Sequence, residues 1–146
     1  MNDKAFLDTN LFVYMQSSSD YMKKEASYRA LENYSCIVST QVINEFSNVA
    51  LKKLGMKPGQ VKQILHAIDN TCEIAVVTLV TIESALNLKD RYGFSYYDSL
   101  IISSALENGC SFLFSEDLSD GQVIDNSLEI VNIFKRPDFQ GAENFF

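Results

Sequence analysis

The chain has 146 residues, 47% of them hydrophobic and 21% charged, the make-up of one ordinary globular domain rather than a disordered chain. Nineteen acidic residues against twelve basic give a formal charge of −7, which supplies no broad cationic footprint for nucleic acid. The longest nearly apolar stretch, Ile74 to Ile82, is too short to cross a bilayer, and the start of the chain lacks the basic and long apolar segments of a signal peptide. A cytoplasmic protein with no membrane partner is therefore expected.

In chain order, Lys4 to Asp8 reads as a short strand ending in a carboxylate, and Thr9-Asn10 offers a cap for a helix over Leu11 to Met15. Met22 to Asn33 is helical in pattern, and Cys36 to Ser39 is a continuous apolar run, as in a strand covered on both faces. Thr40 to Leu54 has apolar residues at helical spacing, with Gly55 placed to end it. Another helix opens at Pro58 and carries Val61, Ile64, Leu65, Ile68 and Cys72 on one face. Glu73 to Thr78 reads as the third strand. A helix through Ile82 to Lys89 stops at Gly93, and Ser95 caps a helix from Tyr96 to Asn108. Cys110 to Phe114 and Glu129 to Phe134 complete about five strands. Strands alternating with helices predict one α/β domain over 1–146, a parallel sheet with helices on both faces.

The three cysteines, Cys36, Cys72 and Cys110, form no paired motif and lie in apolar stretches, as buried free thiols do. The single histidine, His66, has no supporting motif, so zinc and histidine-dependent chemistry find little here. Carboxylates are the more promising groups. Asp8 ends the first strand and Asp117 follows the fourth, and ligands of open parallel sheets gather beyond the carboxyl ends of strands. Glu45 and Asp98 each share a helical face with apolar residues, Val42 and Val49 for one, Ile101, Ile102 and Ala105 for the other. Taken singly, each has an ordinary explanation as a cap, a turn residue or an ion pair. Gathered at one edge they would repel one another, by ~4 kcal/mol per pair at 4 Å for an effective dielectric near 20. Protons or a divalent cation must then relieve them, and oxygen-only ligands favour magnesium or manganese.

Four segments, Phe6-Leu7-Asp8-Thr9-Asn10, Asn44-Glu45-Phe46, Tyr96-Tyr97-Asp98-Ser99-Leu100-Ile101 and Ser115 through Gln122, resemble in order the PIN-domain family, and among its members the VapC-like ribonuclease toxins. The likeness runs from Ala5 to about Phe134 and leaves 135–146 as a tail. It implies a three-layer α/β/α sandwich and hydrolysis of RNA phosphodiester bonds with one or two Mg²⁺ or Mn²⁺ ions. It also implies a cognate antitoxin and a homodimer. The family's catalytic and metal-binding carboxylates fall on Asp8, Glu45, Asp98 and Asp117, with Asp120, Asn10 and Ser115 as auxiliary groups. Tyr96 and Tyr97 are candidates for stacking on bases, and the pairs Lys23-Lys24, Lys52-Lys53 and Lys135-Arg136 for steering RNA; packing and a solvated surface are the plainer meanings. Two other functions fit parts of the pattern. A non-catalytic module binding RNA or protein would keep the fold alone, and a haloacid-dehalogenase-like phosphatase would use Asp8 as nucleophile but has Asn10 where a second aspartate belongs.

Overall fold

The computed structural model describes residues 2–141. Its centre is one sheet in the order β3-β2-β1-β4-β6-β5. Strand β1 (Lys4–Leu7) lies between β2 (Ser35–Ser39) and β4 (Phe112–Phe114), parallel to both. Strand β3 (Glu73–Ala75) extends the sheet beyond β2, and β6 (Leu128–Val131) extends it beyond β4, also parallel. The central strands are apolar on both faces: Ala5, Phe6, Leu7, Ile37, Val38, Leu113 and Phe114 have no exposed surface. Such runs are stable only between two helical layers.

Those layers follow from the strand order. Successive parallel strands β1, β2 and β3 step one way across the sheet, and right-handed crossovers put their connecting helices on one face. These are α1 (Thr9–Gln16), α2 (Tyr21–Asn33), α3 (Thr40–Lys52) and α4 (Pro58–Thr71), which pack on one another. The chain then crosses to β4 on the other side of β1. The helices of that crossing, α5 (Leu79–Tyr92) and α6 (Tyr96–Glu107), pack together as the opposite layer. The expected α/β/α sandwich is the observed one.

Apart from shifts of one or two residues at element ends, such as α3 closing at Lys52 and β4 opening at Phe112, the structure differs from the sequence reading in four places. There are six described strands rather than about five. The additional one, β5 (Val123–Ile124), runs antiparallel to β6 through a tight turn in which Asp125 and Asn126 take φ values of +50° and +56°. Aspartate and asparagine tolerate that left-handed pair better than most residues, which makes the hairpin possible. Strand β3 stops at Ala75 instead of Thr78, because it is an edge strand with three paired positions. The stretch read as a strand to Phe134 ends at Val131, where the Asn132 side chain accepts the N–H of Phe134 and opens a short 3-10 turn, Ile133–Lys135. Finally, α1 is capped by Asp8 itself rather than by Thr9-Asn10. In the tail, Phe139 packs edge-on against Phe112 and Phe114; the terminal Phe145-Phe146 pair lies outside the described residues.

Candidate active site

Strand order reverses between β1 and β4, and a crevice opens above their carboxyl ends. A cavity of about 420 Å³ lies there, lined by Asp8, Thr9, Asn10, Val13, Tyr14, Glu45, Val49, Lys53, Tyr97, Asp98, Ile101 and Asp117. Four carboxylates from four separate segments thus share one hollow. Asp8 leaves β1, Asp117 follows β4, Glu45 comes from the second turn of α3, and Asp98 from the first turn of α6.

Asp8 is the most deeply set, 8% exposed. Its Oδ1 accepts the Thr9 N–H at 2.7 Å and its Oδ2 accepts the Ser115 hydroxyl at 2.7 Å. Burial pushes its carboxyl up, the two hydrogen bonds pull it down, and the charges of Glu45 and Asp117 push it up again, leaving it at about 6. Glu45 is held at both oxygens, Oε1 by the Thr9 hydroxyl at 2.7 Å and Oε2 by Gln41 Nε2 at 3.2 Å. Asp117 is exposed, and its Oδ2 accepts Asn10 Nδ2 at 3.3 Å. Asp98 gives its backbone N–H to Ser95, the cap of α6, while its carboxylate takes no hydrogen bond or ion pair among the described residues.

Asn10 and Ser115 therefore touch the carboxylates they were expected to support. Asp120 does not line the cavity. Its Oδ1 accepts the Asn132 N–H at 2.9 Å and Arg136 Nη1 at 3.2 Å, fastening the loop before β5 to the segment after β6. Thr9 and Gln41 escaped the sequence reading although both grip Glu45. A signal existed for Gln41, which stands one turn before Glu45 on the same helix face. Thr9 offered none beyond its place after Asp8. Of the basic pairs, Lys53 reaches the cavity wall.

The donor set suits a hard divalent cation: it is all oxygen, and Asn10 Oδ1 is buried there without a hydrogen-bond partner. As the side chains stand, no three His, Cys, Asp or Glu among the described residues are arranged to hold one ion. Asp8, Glu45 and Asp117 are turned onto neutral donors instead. The three cysteines are buried free thiols, with burial pushing Cys72 up to about 11 and Cys110 up to about 12.

A mostly parallel α/β/α domain with a carboxylate-lined cavity at its switch point is a class defined by fold and site together. Within that class, the chain belongs to the PIN domain family, which it matches over residues 5–119. That membership sets aside the dehalogenase-like alternative. No curated protein matches the chain closely. Among solved structures, the Mycobacterium tuberculosis toxin VapC20, described as cleaving the sarcin-ricin loop, superposes with a TM-score of 0.63 at 17% identity, over 77% of this chain and 91% of that one. A toxin–antitoxin complex from Klebsiella pneumoniae gives 0.65 at 19% identity, covering 87% and 95%. VapBC2 of Rickettsia felis, bound to a DNA fragment from its promoter, gives 0.61 at 21% identity, covering 87% and 98%. The shared feature at these identities is the fold. No described helix is long and apolar enough to cross a membrane.

Proposed function

We propose that this chain is a divalent-metal-dependent endoribonuclease and the toxin of a toxin–antitoxin pair. The observation that carries the reading is the convergence of Asp8, Glu45, Asp98 and Asp117 on one cavity at the switch point of a PIN fold. Four carboxylates so placed repel one another unless neutralised, and a phosphodiester brings more negative charge still. A cation resolves both problems.

Asp8, Asp98 and Asp117 would hold Mg²⁺ or Mn²⁺, with Glu45 completing a second position or accepting a proton. The bound metal supplies Lewis-acid stabilisation of the phosphate and a more acidic water. The chain's own side chains do the rest. Ser115 and the Thr9 N–H favour the ionised form of Asp8, the form a cation needs. Thr9 and Gln41 fix the direction of the Glu45 carboxylate. Lys53 puts one positive charge on a wall that otherwise repels phosphate. Structural likeness to chains solved as toxin–antitoxin complexes supports an antitoxin partner. A cytoplasmic homodimer belongs to the same proposal.

The test is incubation of the purified protein with a mixed RNA pool, with and without Mg²⁺ or Mn²⁺, followed by end mapping. Metal-dependent cuts that vanish in folded Asp8→Asn and Asp98→Asn variants are expected. Absence of any cut in wild type with either ion would favour a non-catalytic PIN module.

A further inference from the structure

A second hollow, about 470 Å³, adjoins the carboxylate cavity and shares Glu45 and Tyr97 with it. Its chemistry is different. One side is made of amides from one face of α3, Gln41, Asn44 and Asn48; the other is apolar, from Val77, Leu100 and the ring of Tyr97. No lysine or arginine lines it, so it is not a place for phosphate.

We infer that this hollow is a subsite for one unpaired nucleobase of the RNA, next to the phosphodiester held over the carboxylates. The inference rests on the ribonuclease reading and adds to it where the substrate's base is read. An unpaired base has apolar faces and a polar edge, and proteins that read single-stranded RNA stack the faces on aromatic rings and bond the edge with side chains. The hollow has both halves. Tyr97 is 65% exposed, and its ring meets Tyr96 edge-on at 5.2 Å, which braces it. Asn44 and Asn48 present exposed amides on the facing wall.

Gln41 joins this subsite to the carboxylates. Its Nε2 donates to Glu45 Oε2 at 3.2 Å and to the Tyr97 carbonyl at 3.1 Å. Both neighbours only accept, so the amide nitrogen must face them. Its Oε1 is then left buried and unpaired, in a residue 8% exposed. A single side chain thus ties the carboxylate expected to work on the phosphate to the backbone that carries the stacking ring.

The test reads binding, so it does not depend on cleavage. Asp8→Asn protein is titrated with a short unstructured oligoribonucleotide while the side-chain amide signals of Asn44 and Asn48 are followed by NMR. The same titration is repeated with an abasic residue placed at each position in turn. Those signals should shift, and one abasic position should weaken binding by about tenfold or more, the size of a lost base–aromatic stack. Added Tyr97→Leu or, separately, Asn48→Ala should shrink that penalty to about threefold or less, because the partner of the missing base is already gone. Absence of RNA binding, binding without movement of these amide signals, equal affinity for every abasic oligonucleotide, or a penalty undiminished in both variants would each overturn the subsite. The ribonuclease reading is judged separately by the cleavage of the RNA pool.

Discussion

The Ser115 hydroxyl donates a 2.7 Å hydrogen bond to Asp8 Oδ2 across 107 residues of sequence. It joins the ends of β4 and β1, the two strands between which the sheet changes direction. The bond opposes the burial that drives the Asp8 carboxyl upward, and it is one reason the group stops at about 6. Fold and site meet in this pair.

The raised Asp8 carboxyl makes the metal-free protein's stability depend on pH. Its folded value, about 6, lies above its ordinary value of 3.8, so between them the folded state binds more protons than the unfolded state. Stability therefore falls as pH rises from about 4 to about 6, and the whole cost of the buried charge is present above that. Asp8→Asn removes the charge and keeps a capping side chain. Without divalent ions it should be more stable than wild type at pH 7, by on the order of 2–3 kcal/mol, with no such gain near pH 4. Urea melts across this range check it; equal stabilities at pH 7 would contradict the account.

Cation binding should offset that difference. At a hundredfold over its Kd, Mg²⁺ or Mn²⁺ should stabilise wild type by about 2.7 kcal/mol. Asp8→Asn and Asp98→Asn should gain far less from the same ion. Thermal melts with and without metal measure both.

Glu116, the neighbour of Asp117, does not line the cavity itself but pairs with Lys23 and with Tyr14, which does line it. Lys23 forms an ion pair with its Oε2, the Tyr14 hydroxyl donates to its Oε1 at 2.5 Å, and the Lys23 ammonium lies 4.9 Å from the Tyr14 ring and 5.4 Å from that of Phe134. Burial pushes the Glu116 carboxyl up, but the Lys23 and Tyr14 hydrogen bonds and the Lys23 charge outweigh it and hold it low. With both side chains about a quarter to a third exposed, the pair is screened, and Lys23→Met should cost roughly 1 kcal/mol. A double-mutant cycle with Glu116→Gln should return a coupling energy of roughly that size.

Asp120 offers the contrasting case. Its oxygen serves the Asn132 N–H and Arg136 rather than the cavity. Asp120→Ala should destabilise the fold by about 1 kcal/mol and leave metal-dependent cleavage within a few-fold of wild type. A loss approaching that of Asp98→Asn would return Asp120 to the site.

Much of this was legible in the sequence because β1, β2 and β4 are largely apolar runs, and Gly55 and Gly93 stand within three residues of the ends of α3 and α5. Gly93 takes φ +80° as the cap of α5. The convergence of the carboxylates was legible for a related reason: chain direction alone puts Asp8 and Asp117 at the same sheet edge. Side-chain partners were not. Thr9 grips Glu45 from α1, a contact set by how α1 lies against α3, on which helical periodicity carries no information; only Gln41, one turn before Glu45 on α3, left a trace in the spacing. The partners of Asp120 were hidden as well, because its motif places it near Asp117 in sequence whereas Arg136 comes from beyond β6. The β5–β6 hairpin was hidden because two residues of strand leave no alternation to read.

The most direct test is a crystal structure of the protein grown with Mn²⁺, read by the metal's anomalous scattering. A peak bounded by Asp8, Asp98 and Asp117, with Glu45 turned toward the same hollow, is the predicted result. An Mn²⁺-soaked crystal with no peak among these four carboxylates, or with the ion bound elsewhere, would contradict the central claim.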